Sequence, residues 1–141
     1  MAWGVVTYKG PLLLLEKNLN GKNYMKLLQN DFMPNYENHL PLHTFFQQDN
    51  APPHRCQAAQ KYIEKNIIFT MHWPPQSRDL NVIENVWQFV KRQLKHYKSK
   101  TKKELINNVN EIWQPIPISL MHSMSSRIEA VDKSKGYPTK Y

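Results

Sequence analysis

Ten prolines punctuate the 141 residues, and they stand at the edges of runs with regular apolar spacing. Proline lacks a backbone donor and locks φ, so it is disfavoured in helix interiors and central strands. The chain is thereby cut into short elements. Glycine is sparse, and there is no internal repeat or low-complexity tract.

Between the breaks the periodicity changes repeatedly. Residues 1–8 and 11–16 are apolar and rich in β-formers, with Lys9-Gly10 between them, which predicts an antiparallel hairpin. After Asn20-Gly21, Tyr24, Leu27, Leu28 and Phe32 recur at helical spacing until Pro34 is expected to end the helix. Residues 44–49 predict a short strand with Phe45, Gln47 and Asp49 on one face, stopped by Pro52-Pro53, which open a helix through residue 65. Consecutive apolar residues at 67–71 predict a second, buried strand. From residue 82 to about 97, Ile83, Trp87, Val90, Leu94 and Tyr97 form one helical stripe, while Glu84, Gln88, Lys91 and Lys95 form another. Thr101 and Glu104 form a capping box for a helix carrying Leu105, Val109, Ile112 and Trp113. After Pro115 and Pro117, a last helix carries Leu120, Met124, Ile128 and Val131, and Gly136 closes it. The order hairpin, helix, strand, helix, strand and three helices predicts an α/β fold, a mixed sheet with helices packed on it.

Length allows one domain with a real core and not two ordinary ones. A net charge of +8 and a pI near 9.6 favour a polyanionic partner, nucleic acid first. The single Cys56 rules out an intramolecular disulfide, and no apolar run is long enough for a bilayer span or a signal peptide, so an intracellular protein without a membrane partner is expected.

Two strings stand out. One is Gln47-Gln48-Asp49-Asn50-Ala51-Pro52-Pro53-His54. The other runs Trp73-Pro74-Pro75-Gln76-Ser77-Arg78-Asp79-Leu80-Asn81-Val82-Ile83-Glu84-Asn85-Val86-Trp87, and thirty-four residues separate Asp49 from Glu84. Each carboxylate has an ordinary alternative. Asp49 could cap the helix that follows it, and Glu84 could be the back-reaching acid of a capping box begun by Asn81. The interval and both strings, taken together, resemble the catalytic domain of DDE transposases in the mariner superfamily, the Tc-type branch whose third acid is glutamate.

That resemblance extends from Trp3-Gly4 to Gly136-Tyr137-Pro138-Thr139-Lys140-Tyr141, which is similar to the family's C-terminus. It implies a ribonuclease H-like mixed sheet flanked by helices, entered at its second strand and lacking the first, central one. Residues 1–141 are then a partial catalytic domain. The first acid of the family precedes the hairpin, and Asp31, the only aspartate before Asp49, follows it. The resemblance further implies cut-and-paste DNA cleavage and strand transfer, with Asp49 and Glu84 as catalytic metal ligands. Phosphodiester chemistry needs an activated hydroxyl and a stabilised leaving oxygen, which two Mg²⁺ (or Mn²⁺) ions roughly 3.5–4 Å apart supply with few carboxylate ligands. The chain alone is expected to be inactive, and two sheet edges without partners are expected to leave it unstable, aggregated or rearranged.

The implied partners are transposon-end and target DNA, with a homodimer in the complete enzyme and a nuclear location. The family's N-terminal helix-turn-helix region has no counterpart here. Lys91, Arg92 and Lys95 are the expected phosphate contacts, Lys91 and Lys95 foremost because they share the stripe of Glu84. The other basic residues up to Lys103 suit a solvated helix end. His54 belongs to the family string and suits a DNA phosphate contact, the positioning of a ligand, or equally a structural hydrogen bond. His39 and His43 have chelating spacing, but Pro41 between them argues against zinc. Arg78 and Val82 stand where the family has proline, which leaves the helix start less pre-organised. The rival reading is a decayed or domesticated remnant that only binds DNA or protein.

Overall fold

A computed structural model describes residues 2–16, 19–39, 41, 44–66, 68–74, 77–135, 137 and 139. Gly136, expected to close the last helix, Ile67, expected to begin the second strand, and His43 lie outside the described residues. The chain divides into two compact units, Met1–Ala2 with Lys17–Gln76, and Trp3–Glu16 with Ser77–Tyr141.

In the first unit, helix α1 (Gly21–Leu27) starts where Asn20 Oδ1 accepts the Asn23 N–H at 2.8 Å. The helix does not stop at Pro34. A π-helical turn (Leu28–Phe32) leads directly into α2 (Met33–His39). The Met33 N–H donates back to the Leu28 carbonyl, five residues earlier, and this wider turn relieves the clash a proline ring would make in a regular helix. Pro34 also sits in the first turn of α2, where its missing N–H is least costly. Tyr24, Leu27, Leu28, Phe32 and Met33 are buried with Ala59 and Ile63 of α3 (Gln57–Lys65), with Phe46 and with Ile68. Each such burial contributes about 1.5–3 kcal/mol for the larger side chains.

Among the described residues the two expected strands reduce to a single parallel bridge, Phe46 with Thr70. The Phe46 N–H donates to Phe69 O at 2.6 Å, and the Met71 N–H donates to Phe46 O at 3.3 Å. Phe46 is buried against Phe32, ring centroids 4.6 Å apart, whereas Phe45 is 66% exposed and Phe69 and Met71 are also exposed. The run at 67–71 is therefore not buried throughout. Among its described residues Ile68 is buried and Phe69, Thr70 and Met71 are exposed.

The helix expected from Pro52-Pro53 begins later, at Gln57. The prolines form a separate turn in which the N–H groups of His54 and Arg55 both donate to Ala51 O, at 2.9 and 3.2 Å. Cys56 then takes extended backbone, φ −65° and ψ 138°, and becomes the N-cap of α3. Gly21 allows α1 to approach this cap, since a Cβ there would lie 2.8 Å from Cys56 Cβ.

In the second unit, β1 (Ala2–Thr7) and β2 (Gly10–Glu16) form a two-stranded sheet. The turn falls at Tyr8-Lys9 rather than Lys9-Gly10, with the Lys9 N–H donating to Thr7 Oγ1 at 3.1 Å. After a 3-10 turn (Arg78–Leu80) comes α4 (Val82–Leu94), whose Val86 and Val90 are buried with Ile112, Trp113, Ile116 and Met121. The expected stripe of Ile83, Trp87, Leu94 and Tyr97 packs around them. Thr101 Oγ1 accepts the Glu104 N–H at 3.1 Å and starts α5 (Lys102–Trp113), as expected. The Glu104 carboxylate reaches back one residue further, to the Lys100 N–H at 2.8 Å.

The last segment differs from expectation. A 3-10 stretch (Ile118–Ser123) precedes α6 (Met124–Lys133), and its tighter winding shifts the helical phase. Met121 and Arg127 are buried as a result, and Ile128 is 55% exposed. Among the described residues no helix is long and apolar enough to cross a membrane.

Candidate active site

Asp49 lies three residues past the bridge at Phe46, in the turn that Pro52-Pro53 create. Its Oδ1 accepts the Ala51 N–H at 3.0 Å and stands 2.6 Å from His54 Nδ1. A carboxylate only accepts, so Nδ1 carries the proton of this bond, and a neutral His54 then presents Nε2 as an acceptor. Oδ2 takes no hydrogen bond among the described residues. Asp49 is not the cap of α3, because Cys56 occupies that position and the Ala51 bond closes a local turn instead.

The turn is pinned from several elements. The His54 ring packs on Tyr24 of α1, centroids 4.5 Å apart, so the His54 side chain is 14% exposed while that of Asp49 is 49% exposed. The Tyr24 hydroxyl donates to Gln48 Oε1 at 2.5 Å. Burial first, then the Asp49 carboxylate and Cys56, push the Tyr24 phenol well above its usual range. Gln60 Nε2 of α3 donates to the His54 carbonyl at 2.6 Å, and Asn50 Nδ2 donates to the Trp73 carbonyl at 2.9 Å. Tyr24 and Gln60 carried no distinguishing signal in the sequence. Each lies on an ordinary amphipathic helix.

Glu84 occupies the first turn of α4, half-buried, and its N–H donates to the Asn81 carbonyl at 3.1 Å. Asn81 is the N-cap residue but makes no side-chain cap bond, so the capping box weighed for Glu84 is not formed. The Glu84 carboxylate makes no hydrogen bond or ion pair among the described residues. An acid in a first helical turn is favoured by the helix dipole. Lys91, Arg92 and Lys95 are exposed along the same helix, with the Arg92 guanidinium 5.6 Å from the Phe89 ring centroid.

Asp49 belongs to the first unit and Glu84 to the second. Among the described residues no group of three or more His, Cys, Asp or Glu is placed to hold a metal ion. Each of these carboxylates offers oxygen ligands of the type that Mg²⁺ and Mn²⁺ take in small number.

A family model for a DDE superfamily endonuclease matches residues 2–106. The Tcb1 transposase of Caenorhabditis briggsae is 33% identical over 147 residues, covering 100% of this chain and 54% of that protein. The Tc1 transposase of Caenorhabditis elegans is 30% identical over 147 residues with the same coverage. The chain thus spans about half the length of the curated relatives it matches. Among solved structures, the catalytic domain of Mos1 mariner transposase aligns with a TM-score of 0.77 at 17% identity, over 94% of this chain and 72% of that one. The same catalytic domain with raltegravir and Mn gives 0.76 at 17% identity, over 94% and 74%. The Mos1 mariner paired end complex with Mn gives 0.74 at 16% identity, over 96% and 43%. At these identities the likeness shows the fold, which is the ribonuclease H-like fold of that catalytic domain.

Proposed function

The chain belongs to the DDE superfamily endonucleases, among the Tc/mariner transposases, and on that premise we propose that residues 1–141 are part of the catalytic domain of a cut-and-paste DNA transposase. In this reading Asp49 and Glu84 are two of its three metal-binding acids. In the family the third acid stands on a central strand that precedes the hairpin, and none of residues 1–141 is assigned to it. Asp31 does not take its place, because it lies in the π-helical turn between α1 and α2.

The observation that carries the reading is the state of the Asp49 carboxylate. One oxygen is fixed by the Ala51 N–H and His54, and the other takes no hydrogen bond among the described residues, on a side chain that reaches solvent. Bound Mg²⁺ or Mn²⁺ would supply the activated hydroxyl and the stabilised leaving oxygen of phosphodiester cleavage. His54 orients Asp49, the first turn of α4 presents Glu84, and Lys91, Arg92 and Lys95 hold DNA phosphates. The partners of the complete enzyme are transposon-end and target DNA and a second copy of itself, in the nucleus.

Metal binding by the 141-residue chain tests this reading. Electron paramagnetic resonance of free Mn²⁺ is expected to show weak binding that Asp49→Asn and Glu84→Gln each reduce. Binding unchanged in both variants refutes it. Supercoiled plasmid with Mg²⁺ is expected to remain intact, because one ligand of the set is absent, and metal-dependent nicking would refute that part.

A further inference from the structure

Helix α4, and Glu84 with it, starts one residue after the 3-10 turn Arg78–Leu80, and that turn is too short to hold itself. Its own bond is the Asn81 N–H to the Arg78 carbonyl at 2.9 Å. Further support comes from far along the chain. Arg127 of α6, fully buried, donates from Nη1 to the Asp79 carbonyl and from Nε to Ser123 Oγ at 3.1 Å. The Ser123 hydroxyl in turn donates to the Leu120 carbonyl at 2.8 Å. From the other side, the Thr139 N–H donates to Asp79 Oδ2 at 2.7 Å.

Asp79 is therefore gripped at both its carbonyl and its carboxylate. Hydrogen bonds from Thr139, and then the charge of Arg127, draw the Asp79 carboxyl below its ordinary value against the effect of burial. A buried guanidinium is costly, and an apolar side chain of similar volume commonly packs at least as well. What an apolar side chain cannot do is fix a carbonyl in direction, which the Arg127 Nη1 N–H does. The neighbouring fact is that the Asn81 side chain makes no cap bond for α4. The start of this helix takes its register from the turn before it rather than from its own cap.

We propose that Arg127 and Thr139 are positioning residues for Glu84, acting through Asp79. Together they clamp the turn Arg78–Leu80, and the clamp sets where α4 begins and so where the Glu84 carboxylate is presented. The proposal rests on the reading of Glu84 as a metal ligand. Outer groups that orient metal-binding side chains act in this way in many metal sites. Residue order alone carries no hint of it, since Arg127 falls among polar residues of an amphipathic helix.

The test uses the 141-residue chain and three variants. Asp79→Ala removes the Thr139 acceptor while the exposed surface of α6 and its core contacts stay intact. Arg127→Met keeps the stem without the donors, and Arg127→Lys keeps the charge and one donor. In Asp79→Ala, amide exchange at Asn81 and Glu84 is expected to speed up while α5 stays protected, and Mn²⁺ affinity is expected to fall about tenfold. Arg127→Met is expected to do the same, and Arg127→Lys to recover to within about threefold of the unaltered chain. Exchange and affinity both unchanged in Asp79→Ala overturn the proposal. Equal loss of protection across α5 also overturns it, since Arg127 would then merely hold the fold. If Glu84→Gln leaves Mn²⁺ binding untouched, the metal reading of Glu84 fails. Exchange at Asn81 and Glu84 then decides by itself whether the clamp exists.

Discussion

His54 Nδ1 lies 2.6 Å from Asp49 Oδ1, so the imidazole engages one oxygen of this carboxylate and leaves the other open. The ring is fixed in turn by Tyr24, so the pair is a directed contact and not a loose surface ion pair. His54→Ala is expected to lower Mn²⁺ affinity about tenfold, the usual consequence of losing a group that orients a ligand. His54→Gln, which can donate to the same oxygen, should retain most of it. Equal affinity in the alanine variant, measured by Mn²⁺ titration, would show that Asp49 needs no orienting partner.

Tyr24 predicts a loss of stability at high pH. Its phenol ionises less readily in the folded chain than in the unfolded one, so above the ordinary tyrosine value the folded state binds more protons than the unfolded state. The contribution is complete below about pH 10 and declines as pH rises beyond it. Urea unfolding at pH 8 and at pH 10.5 reads the slope. Tyr24→Phe should flatten that slope, and a variant as alkali-sensitive as the unaltered chain would exclude Tyr24 as its source.

Gly4 and Trp113 are in closer contact than any side chain on residue 4 would allow. A Cβ on Gly4 would run into Trp113 Cη2, on a ring that packs tilted against Trp87 with centroids 5.3 Å apart. Gly4→Ala is therefore expected to cost about 1–3 kcal/mol of stability through overpacking. Combining it with Trp113→Leu should cost less than the two changes added, as neighbours in contact do. Strict additivity in denaturant melts would place the clash elsewhere.

Lys91 and Lys95 are exposed on α4, four residues apart. If they neutralise phosphates, reversing both charges should weaken binding of random duplex DNA alike for all sequences. The slope of log affinity against log salt should also become shallower, by about two. An identical slope in fluorescence anisotropy titrations would take this helix out of the DNA path.

Local chemistry was legible before any tertiary structure. The Thr101 cap, the Asn20 cap, the hairpin and the stripe of α4 depend on residues within a few positions of one another, and each formed, the hairpin with its turn one residue earlier than expected. The strings around Asp49 and Glu84 identified the family for a similar reason, since their information is contained in short contiguous segments. Proline spacing was less reliable, because Pro34 is tolerated by a π-helical turn whose bonds depend on the packing of Leu28 and Phe32. The strands at Phe46 and Thr70 shrank to one bridge because a strand's length is decided by its partners and not by its own residues. The grip of Arg127 and Thr139 on Asp79 joins residues 48 and 60 positions apart, and a 3-10 stretch had to rotate α6 before Arg127 could face inward. Sequence by itself determined the family, because its two strings are properties of residue type and near neighbours. Only the tertiary structure decided which oxygen of Asp49 is engaged and what holds the start of α4, because those are set by groups that folding brings from elsewhere in the chain.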